Sequence, residues 1–259
     1  MLGAIAGDII GSVHEFLGQK TKEFPLFVNE SRFTDDTVLT VAVADCLLTG
    51  SSYVDKFHEY TRAYPNRGYG YRFWHWAQSG SRDPYNSWGN GAAMRVSPVA
   101  FRFQTLEEVL EEAKRSAAVT HNHPEGIRGA QATAAAIFMA RQGDSKNNIR
   151  EAIQRQFGYD LRRDIASIRP TYSFNESCQG TVPEAMTAFL ESEDYEDTIR
   201  LAVSLGGDAD TLACIAGGIA EAFYSGVPDN IAERALALLD HGLRQTVVRF
   251  CEAYPTRTS

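Results

Sequence analysis

Two short acidic stretches, FTDDT at 33–37 and GGDADT at 206–211, hold the residues of this chain best suited to chemistry. Each sets aspartates and a threonine directly ahead of an apolar run, VLTVAVADCLL after the first and LACIAGGIAEAF after the second. Taken alone, either stretch reads as a helix start with acids in its first turn, where the helix dipole favours negative charge. Taken together, and provided the two helix starts converge, they demand more. Four carboxylates in one place repel by about 4 kcal/mol per pair at ~4 Å and an effective dielectric of about 20. Two helix termini of about half a charge each cannot neutralise them. Two divalent cations can. Neither stretch holds His or Cys, and carboxylate and hydroxyl oxygens are hard ligands, so the donor set selects Mg²⁺ or Mn²⁺, or Ca²⁺, over Zn²⁺. Spacing along the chain does not itself bring the two stretches together.

Helices must position them. In TLEEVLEEAKRSAAV, Leu106, Val109, Leu110, Ala113 and Ala117 recur at helical spacing with charge on the opposite face. Comparable patterns predict helices near 2–14, 37–49, 52–63, 124–141, 147–157, 183–191 and 195–204, and through PDNIAERALALLDHGLR from Pro228. Alternating runs bounded by turn dipeptides are scarce, so the predicted fold class is all-α, one compact orthogonal helical domain over residues 1–259. LGAIAGDIIGS, GAQATAAAIFMA and DTLACIAGGIAEAF carry small residues on several faces, which predicts central, closely packed helices. Residues 64–95 are aromatic, glycine-rich and irregular, and a long irregular segment inside a compact domain is usually functional.

The net charge of −8 supplies no basic footprint for nucleic acid or an anionic membrane surface. Four cysteines without CxxC or CxxH spacing suit a reducing compartment rather than a disulfide framework or a zinc site. No segment resembles a signal peptide. The apolar runs at 38–48 and 211–223 fall short of the roughly 20 residues a membrane span needs. The expectation is a cytoplasmic monomer without membrane association.

Five motifs in order resemble the ADP-ribosylglycohydrolase family over nearly the whole chain. These are AGDIIGSVHEF (6–16), FTDDT, GNGAAMRVSP (89–98), THNHPEGIRGAQA (120–132) and GGDADT. The resemblance implies an all-α fold with a central cleft holding a binuclear metal centre, two Mg²⁺ or Mn²⁺ ions. Their ligands would be Thr34, Asp35, Asp36, Asp208, Asp210 and Thr211, all present. It places Glu15 near the scissile ribose, and it assigns Gly70, Asn86, Ser87, Trp88, Gly89, Asn90, Gly91 and His121 to ADP-ribose. The residues have their own readings beside these. Glu15 is otherwise an exposed helix charge and Trp88 a core residue. Gly89 and Gly91 allow backbone amides to approach a pyrophosphate. Pro124 fits the first turn of a helix just beyond His121 and His123. Residues 171–185, with Cys178 and Gln179, resemble a further cleft-lining loop. Tyr71, Phe73, Trp74 and Trp76 either stack on adenine or pack the 64–95 segment.

The implied reaction is hydrolysis of the bond between ADP-ribose and an acceptor, with ribose hydroxyls and a water held by the metals. Asp36, Asp210 and Glu15 are the candidate catalytic carboxylates. The expected partner is an ADP-ribosylated protein or small ADP-ribose conjugate, arginine-linked at the family level. Serine-linked and nucleic-acid-linked ADP-ribose and O-acetyl-ADP-ribose suit the same pocket, and nucleic acid enters only as such a modified substrate. A non-enzymatic ADP-ribose-binding or crystallin-like structural protein is the alternative of another class, against which the intact ligand set argues.

Overall fold

The computed structural model describes residues 1–256. Among them lie fifteen helical segments and no strand, only an isolated antiparallel bridge between Gly89 and Ser177. The all-α expectation holds. In chain order the helices are α1 (Leu2–Gly11), α2 (Asp35–Thr49), α3 (Tyr53–Ala63), α4 (Tyr71–Ser79) and α5 (Gly91–Met94). There follow α6 (Ser97–Arg102), α7 (Leu106–Ala118), α8 (Pro124–Gln142), α9 (Lys146–Phe157) and α10 (Ile165–Ile168). The last are α11 (Cys178–Glu191), α12 (Tyr195–Val203), α13 (Ala209–Phe223), α14 (Asp229–Ala237) and α15 (His241–Ala253).

Helix α13 is the hub, packed on α1, α8, α11 and α12, and its residues 209–222 are all buried. The small-residue pattern makes this possible. Gly3, Gly7 and Gly11 lie four residues apart on one face of α1 and meet Gly217, Ala213 and Asp210 of an antiparallel α13. A Cβ on Gly7 would stand 2.1 Å from the Ala213 carbonyl oxygen, so the two backbones are in direct contact there. Ile5 and Ile9 of α1 are fully buried, each side chain contributing roughly 1.5–3 kcal/mol.

Four boundaries differ from the sequence reading. The run from Pro228 is two helices, because the Asp240 side chain accepts from the Leu243 amide (3.0 Å) and starts α15 anew. Helix α11 begins at Cys178 rather than Pro183. Ser177 caps it through the Gly180 amide (3.0 Å), and the proline sits inside the helix. Helix α1 stops at Gly11, leaving Glu15 on the following turn rather than on the helix. The 64–95 stretch contains α4, which buries Phe73, Trp76 and Ala77 at helical spacing and ends on Gly80 at φ 70°.

Candidate active site

Both acidic stretches do start helices, and the starts converge. Thr34 caps α2: its hydroxyl accepts from the Asp36 amide (3.3 Å) and donates to Asp8 Oδ1 (2.6 Å). Asp8 also accepts from the Thr34 amide (3.0 Å), the Thr37 amide (3.1 Å) and the Thr37 hydroxyl. The α1 carboxylate thus fastens the N-terminus of α2 to the α1/α13 seam. Asp208 precedes α13 and accepts from Asn90 Nδ2 (2.7 Å); Asp210 lies in its first turn.

Oxygens of Asp8, Asp36 and Asp210 lie within 4.8 Å of one another, and so do oxygens of Glu15, Asp208 and Asp210. The two groups share Asp210. Asp35 belongs to neither, although it lines the same cleft. Thr211 stands beside them, its hydroxyl 3.4 Å from Asp36 Oδ2. Burial raises the Asp36 carboxyl well above the usual range, and the charges of Asp8, Asp35 and Asp208 push the same way. Burial does the same to Asp210, reinforced by Asp208, Asp36, Glu15 and Asp8. Asp35 is raised by burial, then by Asp8 and Asp208. Asp8 is raised less, because its hydrogen bonds from Thr34 and Thr37 oppose burial. Glu15 is pushed up to about 7 by burial and the Asp208 charge, against the pull of Arg32.

These residues fit a cation. Asp36 is 3% exposed and its Oδ1 has no hydrogen-bond partner among the described residues, an arrangement that costs about 1–3 kcal/mol or more unless a positive group supplies the missing interaction. With carboxylate oxygens as the ligand atoms of both groups, the acidic residues could hold hard divalent ions.

The cluster floors a cleft of about 330 Å³. Gly70, Ser87, Trp88, Gly89, Asn90, Gly91 and His121 line it, as do Thr34, Asp35, Asp36, Asp208, Asp210, Thr211 and Glu15. Asn86 does not: it is exposed at φ 54°, its amide bound to Asn122 Oδ1 (2.8 Å). Trp88 is 41% exposed at the mouth, so it is no core residue. The Gly89 and Asn90 amides are already bound, to Ser87 Oγ (3.1 Å) and the Glu176 carbonyl (2.7 Å), and α5 is a single turn. Those two amides are therefore engaged within the protein, while the Gly91 amide has no hydrogen-bond partner among the described residues. His123 caps α8, accepting from the Glu125 amide (3.1 Å). Phe73 and Trp76 are core residues, while Tyr71 is 78% exposed at the cleft. Cys178 is buried with its thiol on the Gly89 carbonyl, whereas Gln179 lines a shallower depression of about 700 Å³ beside the cleft, between Trp88 and Phe174.

Sequence reasoning passed over Asp8, Arg95 and the wall arginines Arg32, Arg67 and Arg72. For Asp8 a signal was available, an aspartate in the otherwise apolar run AIAGDII. Arg95 stood in plain view within GNGAAMR, where its complete burial could not be read.

Comparison with known proteins settles the lineage of this cleft. The family model described as ADP-ribosylglycohydrolase matches residues 1–258. The chain belongs to the ADP-ribosylglycohydrolase family. It is 27% identical to human ADP-ribosylhydrolase ARH3, covering 86% of this chain and 84% of that protein. To ADP-ribosylarginine hydrolase Tri1 of Pseudomonas putida it is 26% identical, covering 90% of this chain and 72% of Tri1. A solved structure titled ADP-ribosylglycohydrolase-related protein complex superposes with a TM-score of 0.67 at 26% identity, over 97% of this chain and 98% of its own. Among the described residues no helix is long and apolar enough to cross a membrane.

Proposed function

We propose that this ADP-ribosylglycohydrolase family member hydrolyses the glycosidic bond between ADP-ribose and its acceptor at the cleft described above, with two Mg²⁺ or Mn²⁺ ions. The observation that carries the reading is the pair of carboxylate groups sharing Asp210 on the cleft floor. Asp8, Asp36 and Asp210 would hold one ion; Asp208 and Asp210 the other, with Glu15 beside it. Thr34 and Thr211 add hydroxyl oxygens, and Asp35 stands at the edge. When bound, such ions supply Lewis-acid stabilisation and a polarised water.

The chain's own residues supply the rest. Asn90 fixes Asp208 by a hydrogen bond and so sets its orientation. Thr34 and Thr37 hold Asp8 and, through it, the start of α2. Of the three candidate catalytic carboxylates, Asp36 and Asp210 are buried and Glu15 is half-buried. Glu15 is therefore the group placed to take the proton of a water attacking the anomeric carbon. Water adds across the bond, giving free ADP-ribose and the protonated acceptor. Trp88 and Tyr71 offer exposed rings to a base at the mouth.

Arginine-linked ADP-ribose is the first acceptor to test, supported by the likeness to a protein named ADP-ribosylarginine hydrolase. Serine-linked, nucleic-acid-linked and O-acetyl-ADP-ribose are the competitors. A panel of these substrates, assayed for free ADP-ribose with Mg²⁺, Mn²⁺ or EDTA, decides the matter. Release that EDTA abolishes and either metal restores is expected. Turnover that survives both EDTA and Asp210→Ala would sink the metal reading, and inactivity on the whole panel would sink the hydrolase reading.

A further inference from the structure

Arg95 is an unusual residue to find in the core. It is 0% exposed, and it lies at the base of the cleft wall. Its guanidinium sits 4.4 Å from the centre of the Phe57 ring and makes no ion pair among the described residues. Nη2 donates to the Ser116 carbonyl (3.2 Å) and the Thr120 hydroxyl (2.8 Å), while Nε and Nη1 have no partner. Burial pulls it down to about 10, so the cation persists at neutral pH. A buried, underpaired cation is costly, and helix packing alone does not require it.

The Thr120 hydroxyl continues the chain. It lies 2.7 Å from His121 Nδ1 and, among the described residues, its other hydrogen bond is the one from Arg95. Thr120 is fully buried. An arginine can only donate, so Arg95 occupies a lone pair of the hydroxyl. If Nδ1–H donated as well, the hydroxyl hydrogen would be buried with nothing to bond. If the hydroxyl donates to Nδ1, both the hydroxyl hydrogen and the Nδ1 lone pair are satisfied. The imidazole proton then sits on Nε2. That nitrogen makes no hydrogen bond among the described residues and faces the turn at Gly89–Gly91, 3.2 Å from where a Cβ on Gly91 would lie. Burial and the Arg95 and Arg72 charges hold the ring well below the ordinary histidine range, so it stays neutral.

We infer that Arg95 is a positioning residue that, through Thr120, locks His121 as the Nε2–H tautomer, so that the ring offers a fixed hydrogen-bond donor to a ligand oxygen at the Gly89–Gly91 turn. The ligand's identity as ADP-ribose rests on the proposed function; the tautomer does not. A carbonyl or phosphate oxygen is the class of atom the donor would take. A lone pair on Nε2 in its place would repel one.

The test is long-range ¹H–¹⁵N NMR of the Mg²⁺-loaded protein at neutral pH, with ADP-ribose added in a second step. The wild-type protein should show His121 protonated on Nε2 and bare on Nδ1. Thr120→Val, close in volume but without the hydroxyl, should lose that preference, and Thr120→Ser should restore it. In turnover the Thr120→Val variant should raise KM about tenfold, the loss of one oriented hydrogen bond, with a smaller change in kcat. Thr120→Ser should stay within a fewfold of wild type. A wild-type ring protonated on Nδ1 overturns the inference without any variant having to fold, and so does an unchanged tautomer in Thr120→Val. An Nε2 resonance indifferent to ADP-ribose while protonated would instead refute the substrate assignment and leave the tautomer lock standing.

Discussion

Replacing Asp36 with asparagine should stabilise the metal-free protein and abolish its response to metal. Asp36 has two carboxylate neighbours, Asp8 and Asp210, with oxygens no more than 4.8 Å away. At an effective dielectric of about 20, each ionised pair at that distance repels by about 3.5 kcal/mol, on the order of 7 kcal/mol for the two. Without metal the protein relieves this by retaining protons, which is why burial and the neighbouring acids raise Asp36 well above the ordinary carboxylate range. The sign follows. The folded state binds more protons than the unfolded chain above about pH 4, so metal-free stability is full below that and falls as pH rises toward the folded value. The slope is about 1.4 kcal/mol per pH unit for each retained proton.

The Asp36→Asn substitution removes one such group and keeps the shape. In EDTA the variant and wild type should melt together at about pH 3, where the unfolded chain still keeps this proton. At about pH 8 the variant should be the more stable by on the order of 2–3 kcal/mol, about 5 °C or more in Tm for a chain of this size. With Mg²⁺ at about a thousandfold over its Kd the wild type gains about 4.1 kcal/mol, and the variant gains little, so the order reverses. Differential scanning calorimetry across pH, with and without Mg²⁺, reads all of this. An Asp36→Asn protein less stable than wild type in EDTA at that alkaline pH would refute the reasoning, because Asp36 would then be a satisfied structural group and not a charge awaiting a cation.

Three further outcomes are expected. Gly7→Ala forces a Cβ to 2.1 Å from the Ala213 carbonyl; chemical denaturation should show a loss of about 3 kcal/mol or more, and titration calorimetry a parallel fall in Mg²⁺ affinity. Asp8→Ala unfastens Thr34 and Thr37 and should lower both metal affinity and the hydrogen-exchange protection of the first turn of α2, whereas a merely catalytic acid would leave that turn protected. Trp88→Ala, which removes a ring 41% exposed at the mouth, should raise KM by about tenfold or more with kcat within a fewfold; unchanged KM would exclude it from substrate contact.

How much could be read in advance depended on whether a role was local. TDDT and DADT announced helix starts because capping is chemistry of adjacent residues, and Thr34 does cap through the Asp36 amide. The small-residue pattern identified α13 as central because glycine and alanine on several faces have few other uses. Roles set by the neighbour across the gap were invisible. Pro183 looked like a helix start, yet Ser177 had already begun α11. Asp240 looked like one more polar residue in a continuing helix, until its side chain met the Leu243 amide. The aromatic density of YRFWHWAQS concealed a regular α4, although Gly80 marked its end. His121 and His123 are two residues apart. One is a cleft wall beside a buried arginine and the other a cap, a difference that only the position of Arg95 and Glu125 decides.

Asp8 shows why the fold and the site cannot be treated separately. Its carboxylate meets Asp36 and Asp210 because α1 and α13 run with their backbones in contact, and they do so because Gly3, Gly7 and Gly11 face Gly217, Ala213 and Asp210. Along each helix the contact recurs about every turn, so the seam fixes separation and register together. Asp8 follows one of these glycines, and Asp210 is itself a contact point opposite Gly11. The spacing of two carboxylates from opposite ends of the chain is therefore set by the absence of side chains between them. A side chain anywhere along that seam acts on the acidic cluster as well as on the core, because widening the gap by one Cβ, about 1.5 Å, exceeds the tolerance of a hard divalent ion for its oxygen ligands.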